Sequence, residues 1–208
     1  MADRLAALCD PAHTALCTQE CQRGVIGDRA RLPELAEAAS LAAIPNAARL
    51  AAAARAAGVQ VVHGNAARRA DSKGSNHNAR LFAAMGRLDP LLPGSSDVEV
   101  VPEIGCEPED ILTVRLHGLS PMHGTELDAI LRNLGVTTIV VVGVSVNVAV
   151  TNFAFDAVNL GYQVVIPRDA VCGVPVEYAD AVIDNTLALV ATVTTTDDLL
   201  AVWPRPAL

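Results

Sequence analysis

Between Thr137 and Gly143 the chain reads TTIVVVG, a run of strand length whose apolar residues fall on consecutive rather than alternating positions. A strand that is apolar on both sides has to be covered on both faces, as in a parallel sheet enclosed by helices. Five more short apolar runs recur along the chain: TALCTQ (14–19), GVQVVHG (58–64), DILTVR (110–115), YQVVIP (162–167) and LVATVTTT (189–196). Helical patterns lie between them. Residues 32–58 are alanine-rich and close on Gly58, with Pro45 predicting a break or kink. Residues 76–85 follow, then 125–135 with Thr125 as N-cap and Gly135 past the end. A helix over 147–161 is expected to start on Asn147 as N-cap and stop at Gly161, and a last one covers 176–189. Strand and helix alternate throughout. That order predicts an α/β, doubly wound fold: a six-stranded, mostly parallel sheet with helices on both faces, Rossmann-like in its three layers, as a single domain over 1–208.

Composition narrows the function. With 208 residues, 51% of them hydrophobic, the chain is long enough for one well-buried core. A net charge of −8 without a basic cluster argues against a nucleic-acid partner. No apolar run approaches the ~20 residues of a membrane span, and MADRLAALCDPAH is not a secretory leader. Cys9, Cys17, Cys21, Cys106 and Cys172 are odd in number and form no C-x-x-C pair, as expected for reduced thiols in the cytoplasm. The proline-rich stretch from Arg87 to Asp110 is long enough to cover a site or mediate subunit contact.

Doubly wound sheets bind ligands beyond the carboxyl ends of their strands, where the strand order reverses. That rule singles out Gln19–Gln22, His63–Asn65, Arg115–Gly118 and Gly143–Asn147.

At these positions the chain resembles the isochorismatase-like hydrolases, a superfamily also called cysteine hydrolases, from about Thr14 to Thr196. GVSVNVAV followed by DAVNLGYQVVIPRDAV resembles the family's Gly-Val-x-Thr-x-x-Cys helix, its Gly-Tyr strand and its Asp-Ala turn. GTELDAILRNLGVTTIVVVG resembles the segment leading into that strand, and TALCTQECQRGVIGD the first strand, which in the family ends in Asp-Met-Gln. The resemblance implies an Asp on the first strand, a Lys after the third and a Cys at the start of the helix after the fourth. All three differ here: Glu20, Arg115 and Ala149 occupy those positions. It also implies a non-proline cis peptide at Val144–Ser145 that aims backbone donors at an oxyanion.

Ala149 has no nucleophile, so covalent acyl transfer from that position is excluded. It keeps its backbone N–H, and a helix start carries unpaired donors and partial positive charge. Some relatives that cleave vinyl ethers are implied to work without the cysteine, relying on the acidic residue. Glu20 is therefore the expected general acid/base. A guanidinium beside it favours the carboxylate, which opposes an acid role unless Arg115 binds a substrate carboxylate instead. A buried Glu–Arg pair that only joins strands explains the same residues. Gln22, His63, His117, Val144, Ser145 and Asn147 are the candidate substrate-binding residues. Asp71 and His77 lack the Asp-x-His spacing of a metal site, so no metal and no other cofactor is expected.

Two functions follow. One is a small-molecule hydrolase working without a covalent intermediate; the other is a catalytically inactive relative that binds an anionic metabolite or acts as a scaffold. The expected ligand is anionic or carbonyl-bearing, and the alanine-rich helices suit a homodimer or homotetramer.

Overall fold

The computed structural model describes residues 2–203. Seven strands form the sheet: β1 (Thr14–Gln19), β2 (Gln60–Ala66), β3 (Ile111–Arg115), β4 (Thr138–Val144), β5 (Gln163–Pro167), β6 (Val171–Cys172) and β7 (Thr192–Thr194). They lie in the order β3-β2-β1-β4-β5-β7, every pair parallel, with β6 on β4 beyond the last β4 residue that pairs with β5. The strand not anticipated is β6. Two residues are too short to leave an apolar pattern, and it exists because Gly143 and Val144 run on past Val140, the last β4 residue paired with β5.

The helices are α1 (Ala2–Leu8), α2 (Arg23–Ile26), α3 (Pro33–Leu41), α4 (Ala43–Ala57), α5 (Arg80–Met85), α6 (Leu127–Asn133), α7 (Thr151–Asn159), α8 (Val176–Asn185) and α9 (Thr196–Val202). Leu35, Ala39, Leu50, Ala54, Leu199 and Trp203 pack on one face of the sheet; Leu127, Leu131, Phe153, Ala157, Ile183 and Leu187 pack on the other. Three layers result. The predicted helix over 32–58 breaks at Ala42, whose φ of −145° is not helical, so that Pro45 falls in the first turn of α4, where its missing N–H costs nothing. Gly58 closes α4 in the left-handed conformation. Among the described residues no helix is long and apolar enough to cross a membrane.

The chain enters the sheet centrally at β1, moves outward through β2 to β3, and returns on the other side at β4. The reversal therefore lies between β1 and β4. Their carboxyl ends approach so closely that a Cβ on Gly143 (φ +109°) would overlap the Gln19 carbonyl and the Cys21 sulfur. Only glycine fits there.

Candidate active site

A cavity of about 530 Å³ opens at the carboxyl ends of the strands. Glu20 lines it from the end of β1, Ala66–Arg68 from β2, Arg115–Leu119 from β3, and Ser145, Val148 and Ala149 from β4. The cavity is closed further by α5 with the segment 86–91 and by Leu32 and Leu35. The proline-rich stretch thus covers the site with its first residues. Its later residue Asp97 is anchored by Arg31 at 2.7 Å.

Glu20 is held with φ at +53°, a left-handed conformation that costs a non-glycine residue about 1–3 kcal/mol. Its N–H still donates to the Gly64 carbonyl at 2.9 Å, so the ladder with β2 survives while the carboxylate turns to the cavity. Gln19 Nε2 donates to its Oε1 at 3.0 Å, and Arg115 Nη2 donates to the same oxygen. Oε2 carries no protein hydrogen bond among the described residues and is left for a ligand or water. Arg115 itself is only 7% exposed, and its Nε and Nη1 have no partner.

After β4 the Val144–Ser145 peptide is cis, as the resemblance implies. The chain then takes one wide turn, Val146–Val150, before α7, and Ser145 precedes it as N-cap. Asn147 is accordingly not the cap. Its Nδ2 donates to the Val174 carbonyl at 3.1 Å, tying the turn to the loop before α8. Ala149 lies in this turn, 5% exposed, on the cavity wall.

Among the candidate binding residues, His117 and Ser145 line the cavity, whereas Gln22, His63, Val144 and Asn147 do not. Gln22 is fully buried: Nε2 donates to the Ala66 carbonyl at 2.9 Å and Oε1 accepts from the Ala66 N–H at 2.7 Å. It pins the end of β2. His63 lies mid-strand, because β2 runs to Ala66 rather than stopping at Gly64. Its Nδ1 pairs with Thr18 Oγ1 at 2.9 Å and its Nε2 with Asp110 at 3.1 Å. Val144 is a core residue. Missed from sequence were Arg31, Arg68, Leu81, Phe82, Met85 and Leu88. A β2 end drawn two residues later would have pointed to Arg68, but α5 carried no sign that its apolar side faces a cavity.

No cysteine is among the residues that line the cavity. Cys21 is buried in the core, and burial, then the nearby Glu20 and Cys172, push its thiol up to about 12. Burial raises Cys17 to about 12 and Cys172, on β6 rather than in a turn, to about 11. Neither residue lines the cavity. One group of metal-ligand type occurs among the described residues: His63, Cys106 and Asp110, with atoms within 4.8 Å. Both Asp110 oxygens accept from Arg55, at 3.2 and 2.7 Å, and Oδ2 also accepts from the Glu107 N–H. The Arg55 guanidinium thus already pairs with both oxygens of that carboxylate.

Fold and site together define a doubly wound α/β protein with an acidic residue and a helix start facing one cavity at the topological switch. The isochorismatase domain model matches residues 14–198, and the chain belongs to that family. The cysteine hydrolase from Pseudomonas syringae pv. phaseolicola 1448A superposes with a TM-score of 0.80 at 23% identity, covering 93% of each chain. The uncharacterized isochorismatase family protein YwoC of Bacillus subtilis is 38% identical over 87 residues, 39% of this chain and 46% of YwoC. Ureidoacrylate amidohydrolase RutB of Agrobacterium fabrum is 35% identical over 80 residues, 38% of this chain and 35% of RutB. The chain thus spans under half the length of both curated relatives in these matches.

Proposed function

We propose that the chain is a small-molecule hydrolase that works without a covalent enzyme intermediate, with Glu20 as general acid/base. The observation that carries this reading is the asymmetric carboxylate, with Oε1 held by Gln19 and Arg115 and Oε2 unengaged beside the cavity. The free Oε2 can take a proton from water as the water oxygen bonds to a substrate carbonyl carbon. The oxyanion that forms would be met by backbone N–H groups around Ser145–Ala149. As the carbonyl–nitrogen bond breaks, the proton on Oε2 passes to the leaving nitrogen. Ala149 contributes only backbone. RutB, an amidohydrolase by name, supports amide-like bonds as first substrates to try; for enol ethers Glu20 would instead deliver the proton.

The second reading, a binding protein without turnover, is favoured by the same Glu20–Arg115 contact, which also serves as a plain ion pair. A screen of amides, ureides, imides and enol ethers against wild type and Glu20→Gln separates the two. Turnover lost in the variant supports the hydrolase; binding without turnover of any class supports the alternative. We further propose a homodimer or homotetramer, which a monomeric mass by light scattering would contradict.

A further inference from the structure

Five buried polar atoms without a protein partner among the described residues belong to residues lining this cavity: Arg31 Nε, Arg68 Nε, Ser75 Oγ, Arg115 Nε and Arg115 Nη1. Four are guanidinium nitrogens, which only donate. Buried donors left unpaired are costly, so their collection at one place marks where acceptor oxygens belong. The charge agrees. Arg68 spends its Nη1 and Nη2 on the backbone carbonyls of Met85 and Leu88, at 2.9 and 2.6 Å, and among the described residues no carboxylate pairs with it. Arg31 is matched by Asp97 and Arg115 by Glu20. Much of the remaining lining is apolar: Leu35, Leu81, Phe82, Met85, Leu88 and Leu91. A volume of about 530 Å³ lies within the ~300–1,000 Å³ of sites for drug-sized ligands and exceeds what a bare amide or urea fills.

We propose that the cavity selects an amphiphilic organic carboxylate, its anionic end on the unpartnered edge of Arg115 and its apolar body along α5. The assignment rests on the proposed reading of this cavity as the small-molecule site, and it adds the substrate class. A guanidinium pairs with planar carboxylates through parallel N–H donors, and Arg115 retains such donors after serving Glu20. Arg68 supplies the long-range attraction and braces the Met85–Leu88 turn on which the apolar wall depends.

Calorimetric titration of the whole chain with acetate, hexanoate, octanoate, 4-phenylbutyrate and 4-phenylbutyramide tests this. Affinity is expected to rise from acetate to octanoate by roughly fourfold for each methylene buried. The phenylbutyrate acid should bind at least about tenfold more tightly than its amide. Arg115→Gln should erase the acid preference, and Phe82→Ser should blunt the chain-length gain. No binding of the longer acids, equal affinity for acid and amide, or an undiminished gain in Phe82→Ser would each overturn the proposal. Should Arg115→Gln fail to fold, the Phe82→Ser series decides alone. Turnover is not read, so a chain that binds octanoate but hydrolyses nothing contradicts the hydrolase reading and leaves this one standing.

Discussion

Arg115 Nη2 and Glu20 Oε1 meet at the cavity wall although 95 residues separate them in the chain. The contact joins the ends of β1 and β3, which are not neighbours in the sheet; β2 lies between them. The pair spans that strand only because Glu20 leaves the β conformation, turning its side chain out of the ladder while its N–H stays in it.

Glu20→Gln keeps the size of the side chain and removes the proton acceptor. On any substrate turned over, kcat is expected to fall by about 10²–10⁴-fold, with Oε1 still able to accept from Gln19 and Arg115. Steady-state kinetics on the variant checks this; a rate within a few-fold of wild type would assign Glu20 a purely structural role.

Thiol chemistry offers an independent check. With Cys17 and Cys21 pushed up to about 12 and Cys172 to about 11, these groups stay protonated at neutral pH and react slowly. Cys106 is exposed and is the expected first site of alkylation. Iodoacetamide treatment followed by peptide mass spectrometry should find Cys106 labelled while turnover persists. Ala149→Cys should add a second labelled site, since that residue lines the cavity.

Gln22→Ala removes both partners of the Ala66 backbone, whose N–H and C=O are satisfied by this one side chain. Each buried group left unpaired costs about 1–3 kcal/mol. Urea denaturation should show a loss of that order, with the m-value preserved.

Acid sensitivity follows from the network on the opposite side of β2. Burial lowers His63 below its ordinary 6.5, outweighing the attraction of Asp110. The unfolded chain therefore takes up a proton first as pH falls, and this contribution to stability, complete above about 6.5, declines below it. Burial raises the Asp110 carboxyl, but its bonds from Arg55, Glu107 and His63 together hold it below the ordinary 3.8. Its contribution is present above that value and lost as pH falls further. Denaturation midpoints measured from neutral to acid pH should fall continuously; a rise between pH 7 and 5 would contradict this.

The layered fold was legible because apolar runs and capping glycines mark strands and helices directly, as at TTIVVVG and Gly58. The site was legible only where a strand end was placed well. Ending β2 at Gly64 selected His63, whose imidazole turns inward to Thr18 and Asp110, and passed over Arg68. Gln22 and Asn147 have the chemistry of ligand-binding residues but spend it on backbone carbonyls, a long-range pairing that no local pattern records. The short α5 is a further case: nothing in its sequence marks that its apolar residues border the cavity.

The central claim is hydrolysis driven by a carboxylate with no sulfur involved. It is tested most directly by assaying the amide, ureide, imide and enol-ether panel with untreated, iodoacetamide-treated and Glu20→Gln protein in parallel. The account predicts that at least one class is hydrolysed, that alkylation leaves the rate unchanged, and that Glu20→Gln removes it. Activity abolished by alkylation, or retained in full by Glu20→Gln, would contradict it.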